Sequence, residues 1–148
     1  MGERTASDFE RDLRSGQEYE DFAQRLLWQH GYIIVLHRSA RYQWEYGESI
    51  GGIEIKLDRN FRRTGNLYIE TEERRTTDGR SQWRPAGIHD VPQPTLYAIG
   101  DFDTLHLLSV RWLCGVEPFH DRHEGPTMKG FLLPITKARD WAVEVIEP

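Results

Sequence analysis

The chain has 148 residues and 17.4 kDa, with 19 Lys+Arg against 24 Asp+Glu and a formal charge of −5. With 38% hydrophobic and 11% aromatic residues it carries too many core formers for a disordered chain, and its length suits one domain, 1–148. No apolar run reaches the roughly 20 residues of a membrane span, Met1-Gly2-Glu3-Arg4 does not open a signal segment, and the single cysteine, Cys114, excludes an internal disulfide framework and a zinc site built mainly of thiolates; the expectation is a soluble cytoplasmic protein.

In chain order, Ser15-Gly16-Gln17-Glu18 reads as a capping box and Gly31 as a stop, which predicts a helix over about 16–30. Tyr19, Phe22, Ala23, Leu26 and Leu27 recur at three- and four-residue spacing and form its buried stripe. Tyr32–Leu36 is short, β-branched and apolar, as a covered strand is; 41–48 is weakly strand-like, and Gly51-Gly52 is a turn. Ile53–Asp58 alternates strictly, and so does Leu67–Glu70 after the turn residues Thr64-Gly65-Asn66, so both are predicted strands. The polar segment 71–94 reads as a long loop. Leu96–Ile99 and Leu105–Val110 form either a strand pair or a strand leading into a short helix through Leu113, and apolar elements follow at 131–135 and 141–146. A helix, then strands, then a mixed tail imply an α/β or α+β domain with a mixed sheet.

Charge is distributed unevenly. Residues 59–84 hold Arg59, Arg62, Arg63, Arg74, Arg75, Arg80 and Arg84 against four acids, so a cationic stretch lies in an acidic chain and is a candidate polyanion contact.

The most informative stretch is Ile53–Asp58, whose polar face carries Glu54, Lys56 and Asp58 in succession, in a chain with three lysines (56, 129 and 137). Glu48 lies just before the Gly51-Gly52 turn, so a chain reversal returns its carboxylate toward Glu54. In the first helix Glu20 is seven residues before Leu27 and therefore close to it around the helix axis, facing the buried stripe. A carboxylate there needs a partner or a function. These groups fit metal-assisted phosphodiester hydrolysis: Mg²⁺ is held by one or two carboxylates plus water and substrate phosphate, supplied here by Glu48, Glu54 and the Ile55 carbonyl. Lys56 on the same face stabilises the developing charge and orients the attacking hydroxide.

Gly47-Glu48 … Gly52-Ile53-Glu54-Ile55-Lys56-Leu57-Asp58, preceded by a helix bearing Glu20 and followed by Leu67–Glu70, resembles the PD-(D/E)XK nuclease superfamily over about residues 16–70. The resemblance implies a restriction-endonuclease-like core, an N-terminal helix packed on a central mixed sheet, and two acids plus a lysine that bind Mg²⁺ or Mn²⁺ to cut DNA. Glu54 and Lys56 match the second half of the motif, Glu48 stands where the family usually has Asp, and Glu20 matches a helical acid that some members add. This chain departs from the pattern in having Gly47-Glu48 in place of Pro-Asp and only five residues between Glu48 and Glu54. A second alignment takes Glu54 or Asp58 as the first acid and Glu70-Thr71-Glu72 as the second element, which makes Asp58 and Glu70 auxiliary candidates.

On this reading Arg59, Arg62, Arg63, Arg74 and Arg75 contact DNA phosphates, while Tyr42, Trp44, Tyr46 and Trp83 are candidates to stack on exposed bases. A homodimer is expected because cutting both strands takes two sites. A non-catalytic nucleic-acid or protein-binding module on the same fold is the alternative, and a glycosidase using Glu48 and Glu54 is a weaker one. His120-Asp121-Arg122-His123-Glu124 with Cys114 matches no strong zinc spacing, and His30 suits a helix C-terminus.

Overall fold

The computed structural model describes residues 6–32 and 52–148. The first helix, α1, spans Ala6–Gln29 and starts ten residues, nearly three turns, before the position that the capping box predicts. Residues 6–14 hold no Gly or Pro and several strong helix formers, so nothing stops the helix at Ser15, and Ser15–Glu18 lie inside it. The C-terminus ends as expected. Gly31 adopts a positive φ of 88°, and the Tyr32 amide donates to the Leu27 carbonyl at 3.0 Å, closing a Schellman turn. Tyr19, Ala23, Leu26 and Leu27 are the buried stripe. Two predicted strands, 32–36 and 41–48, fall on or next to residues outside the described ones.

The remaining elements are β1 (Ile53–Leu57), α2 (Phe61–Thr64), β2 (Asn66–Thr77), β3 (Arg80–Pro85), β4 (Leu96–Gly100), β5 (Leu105–Ser109), α3 (Val110–Val116), β6 (Arg122–Glu124), β7 (Met128–Pro134), α4 (Ile135–Trp141) and β8 (Glu144–Ile146). The open question at 105–116 resolves into both forms, a strand through Ser109 and a helix from Val110, with the Ser109 hydroxyl accepting from the Trp112 amide as the N-cap.

The protein is a mixed α+β structure with two four-stranded sheets. One is mixed, in the order β1-β4-β5-β8, with β1 parallel to β4 and the other pairs antiparallel. The other is antiparallel, in the order β3-β2-β7-β6. The mixed sheet is covered on both faces. On one, Ile53, Ile55, Ala98, Leu105 and Leu107 pack with the α1 stripe. On the other, Tyr97, Ile99 and Leu108 join Leu67, Ile69, Phe131 and Leu133 of the antiparallel sheet in a second core.

The long loop expected over 71–94 is largely a hairpin. Strand β2 continues through Thr77, Asp78 and Gly79 take positive φ values of 53° and 75°, and β3 returns. Two successive left-handed residues of the Asp-Gly type make a tight turn whose twist matches the strands. The hairpin's outer half is exposed on both faces, so it lacks the apolar alternation by which a strand is recognised. No helix among the described residues is long and apolar enough to cross a membrane.

Candidate functional site

Strand β1 positions the first two groups. Its pleat buries Ile53 and Ile55 against α1 and turns Glu54 and Lys56 to the opposite face, beside Tyr97 and Ile99 of the parallel partner β4. The antiparallel sheet approaches that face and contributes the third group, Glu70, which is 3% exposed. Lys56 Nζ lies 2.6 Å from Glu70 Oε2 and 3.5 Å from Glu54 Oε1. One ammonium thus joins two carboxylates from strands of different sheets.

Glu70 owes its place to a bulge. In the β2–β7 ladder Glu70 pairs with Gly130 and Glu72 with Lys129, so Thr71 is the extra residue. A bulge of this kind bends the strand and re-aims its side chains. Two glycines fit closely around the backbone here: a Cβ on Gly87 would collide with the Glu70 carbonyl, and one on Gly130 with the Ile69 carbonyl. Gly87 also has a positive φ of 58°. The Thr71 carbonyl accepts the Ala86 amide at 3.0 Å, and the buried Tyr97 hydroxyl faces the Glu70 amide at 3.4 Å.

The electrostatics follow from this burial. Desolvation raises the Glu54 carboxyl above its ordinary value; Lys56 pulls it back down, while Asp90 and Glu70 push it further up. For Lys56, burial alone favours the neutral amine, but the neighbouring Glu70, Tyr97 and Glu54 outweigh it and the net direction is upward. Lys56 is therefore held as an ammonium. Burial likewise holds Tyr97 neutral.

Lys56 and Glu70 open onto a pocket of about 530 Å³. Its lining includes Arg59, Arg63, Tyr68 and His123. Asp58 borders it but serves the fold, since Oδ1 accepts the Asn60 amide and Oδ2 the Tyr68 amide, both at 2.9 Å, which ties the end of β1 to β2.

The other expected site residues are dispersed. Glu48, Tyr42, Trp44 and Tyr46 lie outside the described residues. Glu20 is half-buried on α1, which packs on the face of β1 opposite the one carrying Glu54 and Lys56. Arg62 is held by Asp101 at 2.7 and 3.1 Å and by the Thr104 hydroxyl at 2.9 Å, so it braces the turn between β4 and β5. Arg74 and Arg75 stand on the exposed part of β2, Arg75 paired with Glu73 at 2.6 Å, and the Trp83 ring carries the Lys129 ammonium at 4.2 Å. His30 pairs with Glu144 at 2.9 Å. Of the His120–Glu124 run, His120 stacks on Phe131 and Arg122 bonds Glu117, while His123 joins the pocket wall.

Sequence reasoning missed Tyr68, Tyr97 and Asp90, and weighed His123 only as part of a metal cluster that it set aside. Tyr68 had a signal, being two residues before Glu70 on one face of an alternating strand; Tyr97 and Asp90 come from distant segments and had none. Among the described residues, no group of three or more His, Cys, Asp or Glu side chains converges as a metal centre. Compared with known proteins, the chain matches no family model, no curated protein and no solved structure.

Proposed function

We propose that the chain is a metal-dependent nuclease that hydrolyses DNA phosphodiesters, most simply an endonuclease, acting as a homodimer where both strands are cut. The observation that carries this reading is Lys56 set between the Glu54 and Glu70 carboxylates at the edge of a pocket bordered by arginines. A helix packed on a mixed sheet, with the Glu-x-Lys strand at the end of that sheet's strand order among the described residues, supports the restriction-endonuclease-like core as part of the same proposal. Glu70 takes the place of auxiliary acid beside Glu54, Glu48 remains a candidate for a further ligand, and Glu20, on the helix that covers the opposite face of β1, is left out of the site.

The donor set fits Mg²⁺ or Mn²⁺. Both carboxylates offer hard oxygens, and an ion that keeps most of its water needs only one or two of them besides the substrate phosphate. Glu54 and Glu70 would hold it, and when bound it supplies charge for the scissile phosphate and a more acidic water. Lys56 keeps its proton and stabilises the charge that builds on the phosphoryl oxygens. The Glu70 carboxylate fixes the ammonium by its short contact, and the Gly87 cradle fixes Glu70.

Purified protein incubated with supercoiled, linear, single-stranded and branched DNA in Mn²⁺ tests the reading. Cleavage is expected, abolished by EDTA and lowered about 100-fold or more in Glu54→Gln, Glu70→Gln and Lys56→Ala. Undiminished cutting in all three variants overturns it. DNA retention that ignores EDTA, without cleavage of any substrate, identifies a binding module instead.

A further inference from the structure

The pocket extends from the Glu70 side of the site: Lys56 and Glu70 line it, whereas Glu54 does not. We propose that it holds one unpaired nucleotide of the substrate, so that the protein acts on DNA with an unpaired nucleotide next to the cut, as in single strands, overhangs, flaps and branches. The inference deepens the nuclease reading and rests on it for the chemistry at Lys56.

Size comes first. At about 530 Å³ the pocket falls in the range of roughly 300–1,000 Å³ that takes small organic ligands, a size that suits one nucleotide and not a duplex. Charge comes second. The pocket lining holds three cations, Lys56, Arg59 and Arg63, against two acids, Asp58 and Glu70, a net charge of +1, with Lys56 paired to Glu70 and Asp58 accepting the Asn60 and Tyr68 amides. That balance suits an anion. The third observation distinguishes a nucleotide from a bare phosphate. Tyr68 and His123 present two aromatic rings, 5.5 Å apart and nearly perpendicular, with Met128 and Leu132 beside them. The Tyr68 hydroxyl donates to the His123 carbonyl at 3.2 Å and fixes the two segments together. Cations together with aromatic and apolar surface in one pocket match a phosphate joined to a flat base. A base that is already unpaired enters such a pocket without the cost of leaving a stack and a pair.

The test measures binding in EDTA, so that no cleavage enters the result. The full chain is titrated against three labelled DNAs: a short single strand, a blunt duplex of the same sequence, and that duplex with an unpaired overhang. The single strand and the overhang duplex are expected to bind more tightly than the blunt duplex. Tyr68→Leu and His123→Ala are each expected to weaken those two about tenfold and to leave the blunt duplex unchanged. His123 is exposed, so its variant keeps the test valid if Tyr68→Leu fails to fold. Equal affinity for blunt and overhang duplexes, or equal losses on all three DNAs, overturns the proposal, as does wild-type binding in His123→Ala. A protein that cuts DNA in Mn²⁺ yet shows no such preference overturns the pocket and keeps the nuclease. One that shows the preference and never cuts keeps the pocket and overturns the nuclease.

Discussion

Glu54 is an acid in a place that resists its charge. Burial raises its carboxyl above the ordinary value of 4.5 in spite of Lys56 nearby, so the folded chain favours the protonated form more than the unfolded chain does. The sign is that of a raised acid: below the ordinary carboxylate range the neutral group sits without penalty, and stability is lost as pH rises through the folded-state value. Glu54→Gln, which is neutral at every pH, is therefore expected to unfold at a higher temperature than wild type at pH 7–8, with the gap closing as pH falls toward 4. Thermal unfolding followed by circular dichroism across that range checks it, and a variant less stable than wild type at pH 8 contradicts the assignment. The same substitution is expected to abolish cleavage. A residue whose removal raises stability and ends activity is held for function.

At the scale of elements, the bulge in β2 is the feature on which the site depends, and Gly87 is the residue that permits it. Alanine there meets two obstacles, a Cβ pressed on the Glu70 carbonyl and a left-handed φ of 58°. Gly87→Ala is expected to cost about 2–4 kcal/mol in urea unfolding and to lower activity beyond the loss of folded protein, because Glu70 cannot keep its place. Alanine at Gly65, also left-handed at φ 76° but with open space around its Cβ, is expected to cost only about 1 kcal/mol and to spare the site. The elements were legible where one face is buried and the other is not: Ile53–Leu57 shows its alternation, and Gly31 marks the end of α1. They were illegible where the deciding contact is remote or the burial uniform. Ser15 and Glu18 have a cap's spacing, but the helix-forming residues before them extend α1. The Asp78-Gly79 turn has the right chemistry, yet both strands around it are exposed and look like loop. Glu54 and Lys56 announced themselves as neighbours on one strand face. Glu70 was legible as an auxiliary acid from the Glu70-Thr71-Glu72 run, but its contact with Lys56 comes from the packing of one sheet on another, which no local pattern encodes.

The whole molecule carries −5, yet residues 59–84 carry more positive than negative charge, and the fold divides their labour. Arg62 braces the β4–β5 turn, Arg59 and Arg63 border the pocket, and Arg74 and Arg75 project on the exposed hairpin away from the packed ends of the sheets. An acidic protein can hold a polyanion only where its cations are gathered, and each phosphate neutralised there releases condensed counterions. The hairpin arginines, on the proposed reading, serve as such phosphate contacts and not as readers of sequence. Arg74→Ala combined with Arg75→Ala is therefore expected to reduce the slope of log K against log salt by about 2 and to weaken binding by the same factor for DNAs of different sequence. Both side chains are exposed, so the thermal midpoint is expected to stay where it is. Anisotropy titrations of the double variant at several salt concentrations, in EDTA, measure the slope. A slope equal to that of wild type removes the hairpin from the interface and leaves the pocket arginines as the phosphate contacts; a smaller slope that also depends on base sequence shows that the hairpin reads the bases it touches.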